Sequence, residues 1–357
     1  MDRRSFLKSS AVFSAVTIAP FSFAGEEKWR TFETVTRVEL QANGPAMVWL
    51  PVPSVDTDYQ KLLATSFEAV GATPYVVRDS KYGADILVAE FKGSGKPVLE
   101  LTSRFATRDR AVDLAAAPGA AQLDPAARQR YLAATDLLPT DGIVAQTAQE
   151  ITSGSKTDVE KARAIYEWIV DNTFRDGKVR GCGVGDIKAM LESANLGGKC
   201  ADLNALFVGL ARAAGVPARD VYGIRVADSR LGYKSLGKSG DITKAQHCRA
   251  EVHLTGYGWV PVDPADVRKV VLEESGGLPL NDPKVVAARK RLFGSWEMNW
   301  LALNYAHDVQ LPGSTKSKLG FLMYPQAEVA EQGKRTRLDS LDPDHFKYRI
   351  TAVEVTV

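Results

Sequence analysis

The sequence predicts an α+β fold in which a helix led by a cysteine packs on an antiparallel sheet, with a small β-sandwich ahead of it. Three observations carry this. Gly197-Gly198 halts the chain before Lys199-Cys200, and Leu203, Leu206, Phe207 and Leu210 then recur at helical spacing until Gly215 and Pro217, which predicts a helix over 200–214. Two strand-like runs, 246–254 and 259–264, flank the turn Gly256-Tyr257-Gly258. The stretch 29–104 is mostly of alternating, strand-like character.

Composition narrows the field. The 357 residues are 45% hydrophobic and 25% charged, enough for two or three packed units and no sign of wholesale disorder. Lys and Arg number 45 against 43 for Asp and Glu, and a net charge of +2 gives no case for a nucleic acid or an anionic membrane surface as partner. The three cysteines, Cys182, Cys200 and Cys248, are too few for a disulfide framework and lack the paired C-x-x-C spacing of a zinc site. No D-x-D-x-D-G calcium loop is present, so neither a metal nor a cofactor is expected.

The first 24 residues read as an address. Arg3-Arg4-Ser5-Phe6-Leu7-Lys8 precedes an apolar run too short to span a bilayer comfortably, and Ser22-Phe23-Ala24 offers a small-residue cleavage site. This resembles a twin-arginine export signal, with Asp2 departing from the commoner Ser or Thr. The resemblance implies a bacterial protein that folds in the cytoplasm, is exported to the periplasm and keeps no stable membrane insertion after cleavage.

A β-rich domain is expected over 25–105. Thr34 to Leu40 alternates, Asn43-Gly44 is a turn, and Met47-Val48-Trp49-Leu50 runs to Pro51 and Pro53. Asp85–Phe91 and 97–105 flank Lys92-Gly93-Ser94-Gly95-Lys96, which reads as a hairpin. An alanine-rich linker over 106–137 leads to a core over 138–270, where Thr157-Asp158-Val159-Glu160 has capping-box spacing ahead of Ala162, Tyr166 and Ile169. The glycine-rich Arg180 to Asp186 lacks the ending of a phosphate loop. A strand over 220–226, a loop over 227–244 and the two later strands complete the core. The remainder, 271–357, holds a helix over 283–292, an aromatic stretch (Trp296, Trp300, Tyr305) that is core before it is cleft wall, and a closing strand, and is expected to pack on the core.

Acyl transfer by a thiol needs a nucleophile, a base and a group that fixes the base's tautomer. Cys200, His247 and Asp263 supply these in order. A thiol at a helix start meets free N–H groups and the positive end of the dipole, and Lys199 adds charge. A buried structural cysteine is the bland alternative. His247, Arg249, Glu251 and His253 share one strand face, and Cys248 shares the other, so Cys248 is expected to point into the core away from the base. Asp263 joins the His247 face only if an odd-numbered loop closes the hairpin. His253 is the rival base, while His307 and His345 read as surface or packing residues.

Gly-Lys-Cys opening a helix, followed by His-x-x-x-Glu-Val-His-Leu-x-Gly-Tyr-Gly-Trp-Val-Pro-Val-Asp-Pro, resembles the transglutaminase-like superfamily, best over 158–266. The resemblance implies a papain-like core with Cys200 as nucleophile, His247 as general base and acid, Asp263 as orienting carboxylate and the Cys200 N–H in an oxyanion hole. It also implies a peptide or protein substrate, cleaved or transferred through an acyl-enzyme. Arg249 departs from the family's frequent Trp and suggests an anionic group on the substrate. Two other readings stand beside this one: a non-catalytic binding or scaffolding protein on the same fold, and a thiol-redox role, against which the facing of Cys248 speaks. A Cys182–Cys248 bridge has little to recommend it in a chain folded before export.

Overall fold

The computed structural model describes residues 28–356, so the expected export signal at 1–24 lies outside the described residues. The fold is α+β. Two five-stranded sheets face each other across an apolar layer that includes Val38, Val48, Leu50, Leu87, Ala89, Leu99 and Leu101. Neither sheet is built from the N-terminal region alone. Arg30–Glu39 pairs on one side with Val98–Thr107 and on the other with the closing strand, Lys347–Val355. Ala46–Val52 pairs with Asp85–Phe91 and with Gln326–Glu331.

One expected hairpin is not formed. Asp85–Phe91 lies in one sheet and Val98–Thr107 in the other, so the glycine loop at 92–96 carries the chain across the sandwich. The reason is burial: Leu87, Ala89 and Phe91 pack face to face against Leu99 and Leu101, and edge-to-edge pairing would forgo that apolar layer. The turn at Asn43-Gly44 likewise joins strands of different sheets.

The second body is a four-stranded antiparallel sheet in the order Gly258–Val262, Gln246–Leu254, Ala218–Arg225, Trp300–Asn304. The aromatic stretch is thus partly a sheet strand, and Trp296 and Trp300 are core. Helices Gly142–Thr152, Asp158–Asn172 and Cys200–Ala213 pack around one large core with this sheet. Thr157 and Glu160 form the expected capping box. The linker contains a short helix, Pro125–Leu132, started by the Asp124 carboxylate. Among the described residues no helix is long and apolar enough to cross a membrane.

Candidate active site

Cys200 is the first residue of its helix, and the chain is forced into that corner by Asp202 two residues on. The Asp202 carboxylate accepts from the N–H groups of Lys199, Val184 and Gly185, each at 2.9 Å. This is the role of the glycine-rich turn: its amides bind a side-chain carboxylate of the chain itself. Gly183 has φ +94°, and a Cβ there would lie 1.8 Å from Asp202 Oδ2, so only glycine fits. The same turn brings in Cys182, whose carbonyl accepts from Ala201 N–H at 2.8 Å.

His247 is the second residue of Gln246–Leu254, and Asp263 caps the helix Pro264–Glu273. The hairpin between them closes through a three-residue loop, with Leu254 opposite Gly258 and Ala250 opposite Val262. That odd-numbered loop puts Asp263 on the His247 face. His247 Nε2 lies 2.7 Å from Asp263 Oδ2 and 3.4 Å from Asp266 Oδ1, which leaves Nδ1 as the nitrogen for the thiol. Trp300 Nε1–H donates to the His247 carbonyl at 3.0 Å. Cys200, His247 and Asp263 are all buried, at 4%, 3% and 0% exposure.

A second layer, not singled out from sequence, holds these groups. Asn204, one turn along from Cys200, donates to Asp263 Oδ1 (3.1 Å) and to the Cys248 carbonyl (2.8 Å), tying helix, strand and capping carboxylate together. Asp266 is gripped by Arg225 Nη2 at 2.6 and 2.9 Å. The clue to Asp266 was its place three residues after an N-cap aspartate, and Asp266 N–H does donate to Asp263 Oδ1 at 3.0 Å. Asn204 had helical spacing from Cys200 as its clue. Nothing local to Arg225 pointed to it.

The electrostatics divide the thiols. Hydrogen bonds with Cys182 and Cys248 hold the Cys200 thiol well below its usual range, against the opposing effect of burial, and His247 pulls the same way. Cys182 is pushed up, chiefly through its hydrogen bond to Cys200, and Cys248 is pushed up by burial. For His247, burial and Arg225 oppose charge, but Asp266 and Asp263 outweigh them and raise it to about 9. The set favours a thiolate beside an imidazolium.

One expectation is corrected. Cys248 is in the core but not remote: the Cys200 helix packs on the Cys248 face of the strand, and the Cys182, Cys200 and Cys248 sulfurs all lie within 4.8 Å of one another. The objection to a role for the thiols together therefore falls, although all three are free cysteines. Arg249 is enclosed. It is 2% exposed, lies over Trp300 at 4.7 Å, donates to the Glu297 carbonyl at 3.0 Å and sits 3.6 Å from Asp263 Oδ2. Its Nε approaches the capping carboxylate but makes no hydrogen bond.

The other histidines are elsewhere. His253 packs edge-on against Trp259 with ring centroids 5.4 Å apart, and burial lowers its pKa. His307 is buried with Nε2 3.2 Å from Asp220, and His345 is exposed and bonded to Asp342 at 2.7 Å.

Comparison with known proteins fits this arrangement. Residues 145–264 match the transglutaminase-like superfamily. A Haemophilus influenzae protein described only as uncharacterized is 38% identical over 324 residues, covering 86% of each chain. Residues 145–264 thus form a transglutaminase-like core within this chain. A candidate cysteine protease from Cytophaga hutchinsonii shares its fold, with TM-score 0.57 and 13% identity over 92% of both chains. The periplasmic domain of TgpA from Pseudomonas aeruginosa aligns at TM-score 0.35 and 15% identity, over 70% of this chain and 93% of that one.

Proposed function

We propose that this protein is an exported thiol enzyme that cleaves or transfers amide bonds of peptides or proteins, with Cys200, His247 and Asp263 as its triad. The observation that carries the reading is the 2.7 Å contact between His247 Nε2 and Asp263, beside a thiol at a helix start whose pKa is lowered. The Cys200 thiolate attacks the carbonyl carbon, and the oxyanion that forms is met by the Cys200 N–H, since Ala201 N–H already donates to Cys182. His247 gives its proton to the leaving amine as the tetrahedral intermediate collapses to a thioester. Water, or an amine for transfer, then attacks the thioester while His247 takes the incoming proton. Asp263 holds Nε2 and balances the imidazolium. Export is supported by Arg3-Arg4-Ser5-Phe6-Leu7-Lys8.

Labelling with iodoacetamide across a pH series, with the modified cysteine assigned by mass spectrometry, tests this reading. Cys200 is expected to label selectively well below the ordinary thiol pKa of about 8.5, and His247→Ala to abolish that selectivity. Uniformly slow labelling of all three cysteines with ordinary titration would sink the enzyme reading and leave a binding module. Cys200→Ala is expected to remove all amide turnover.

A further inference from the structure

The three cysteines reach one point from three separate parts of the chain: the glycine-rich turn, the start of a helix and the start of a strand. Their sulfurs lie within 4.8 Å of one another and all three residues are buried. A fourth sulfur adjoins Cys248, for Met323 Sδ is 3.9 Å from Cys248 Sγ and Met323 is buried too. Three thiolates on one ion, at a metal–sulfur distance of about 2.3 Å, stand roughly 3.7–4.0 Å apart. Closing the three cysteine sulfurs onto an ion therefore asks for shifts of about 1 Å or less.

We infer that Cys182, Cys200, Cys248 and Met323 form a binding site for a soft monovalent cation, Cu(I). Thiolate and thioether donors together select Cu(I), whereas a zinc site takes thiolate, imidazole or carboxylate and has no use for a thioether. The nearby His247, Asp263 and Asp266 could be read as a harder site, but Arg225 and Arg249 already lie against those carboxylates. Cys182 and Cys248 each release one proton to solvent on ligating, Cys200 ligates as the thiolate it already is, and no electron moves. His247 and the N–H groups of the helix start lie beside the cluster and offset its negative charge. Copper bound there occupies the Cys200 sulfur, so it silences the nucleophile. That last consequence rests on the proposed function; the binding does not.

The test is an anaerobic titration of the reduced, signal-cleaved protein with Cu(I) held by bicinchoninate. One Cu(I) per chain is expected to leave the chelator, and X-ray absorption is expected to show three or four sulfur neighbours at about 2.3 Å. One equivalent should slow Cys200 labelling at least tenfold, and Cys248→Ser and Met323→Leu should each weaken binding tenfold or more. Failure of the wild-type protein to withdraw copper, or a shell of nitrogen and oxygen, overturns the site without recourse to any variant. So does a folded Cys248→Ser that binds as tightly, with Cys182→Ser read in its place if the former does not fold. Copper binding without acid-range labelling of Cys200 would keep the site and reject the nucleophile; the reverse result would keep the nucleophile and reject the site.

Discussion

His247 has Nε2 committed to Asp263 and Asp266, and this sets the pH range over which the proposed chemistry runs. Turnover needs Cys200 deprotonated and His247 protonated. The first condition fails only in acid, because the thiol is held well below its usual value. The second fails as pH rises through about 9, the value to which Asp266 and Asp263 hold the ring against burial and Arg225. Amide turnover should therefore follow a bell with its alkaline limb near pH 9, and Asp266→Asn should draw that limb downward, as measured by kcat against pH. A limb that does not move in Asp266→Asn would mean that Asp266 plays no part in holding the proton. At this scale, residue type and order put Cys200, His247 and Asp263 forward with His253 as a rival base, and it was the resemblance to the superfamily that chose among them. Asp266 and Asn204 were within reach of the same reasoning, because i+3 and i+4 relations to an N-cap and to Cys200 mark them. Arg225 was not, since its partner Asp266 is 41 residues away and only the sheet brings them together.

At the scale of the element, the helix start depends on a turn that holds Asp202. Gly183→Ala would both strain a residue at φ +94° and drive a methyl group into Asp202, so a loss of about 2–4 kcal/mol is expected. Thermal unfolding followed by circular dichroism checks it, and a melting temperature within error of wild type would show that the turn can re-form another way. Labelling of Cys200 in the same variant should lose its acid-range preference, because the helix start and Cys182 move with the turn. The helices were legible for reasons confined to a few neighbouring residues, such as the Thr157 and Glu160 box. The strands were located but some were mispaired: Lys92 to Lys96 looks like a hairpin loop by composition, and only the facing apolar layer decides that it bridges two sheets. The surroundings of Arg249 were likewise not legible. Its strand face was read correctly, but Trp296, Trp300 and Glu297, which enclose it, come from a segment whose position no local pattern announces.

Across the whole molecule, the last described strand closes the first. Lys347–Val355 pairs with Arg30–Glu39 through nine residue pairs and buries Ile350 and Ala352. A chain ending at residue 346 should lose that edge, expose unpaired N–H and C=O groups along Arg30–Glu39, and aggregate. Size-exclusion chromatography and a thermal melt would read this out; a monomer with an undiminished cooperative transition would mean that the sandwich does not need its final strand. Nothing in the alternation of either strand names the other as partner, which is why this closure was the least legible part of the fold.

That closure also sets a clock on biosynthesis. The ion pair from Arg30 to Glu354 spans 324 positions, which a ribosome adding about 5–20 residues per second covers in roughly 15–65 s. Throughout that interval the first strand exists while its outer partner has yet to be made. The nascent chain thus carries an open β-edge for most of its translation, a surface for ribosome-associated chaperones to hold, and it completes its native sheet only once residues 347–355 have emerged.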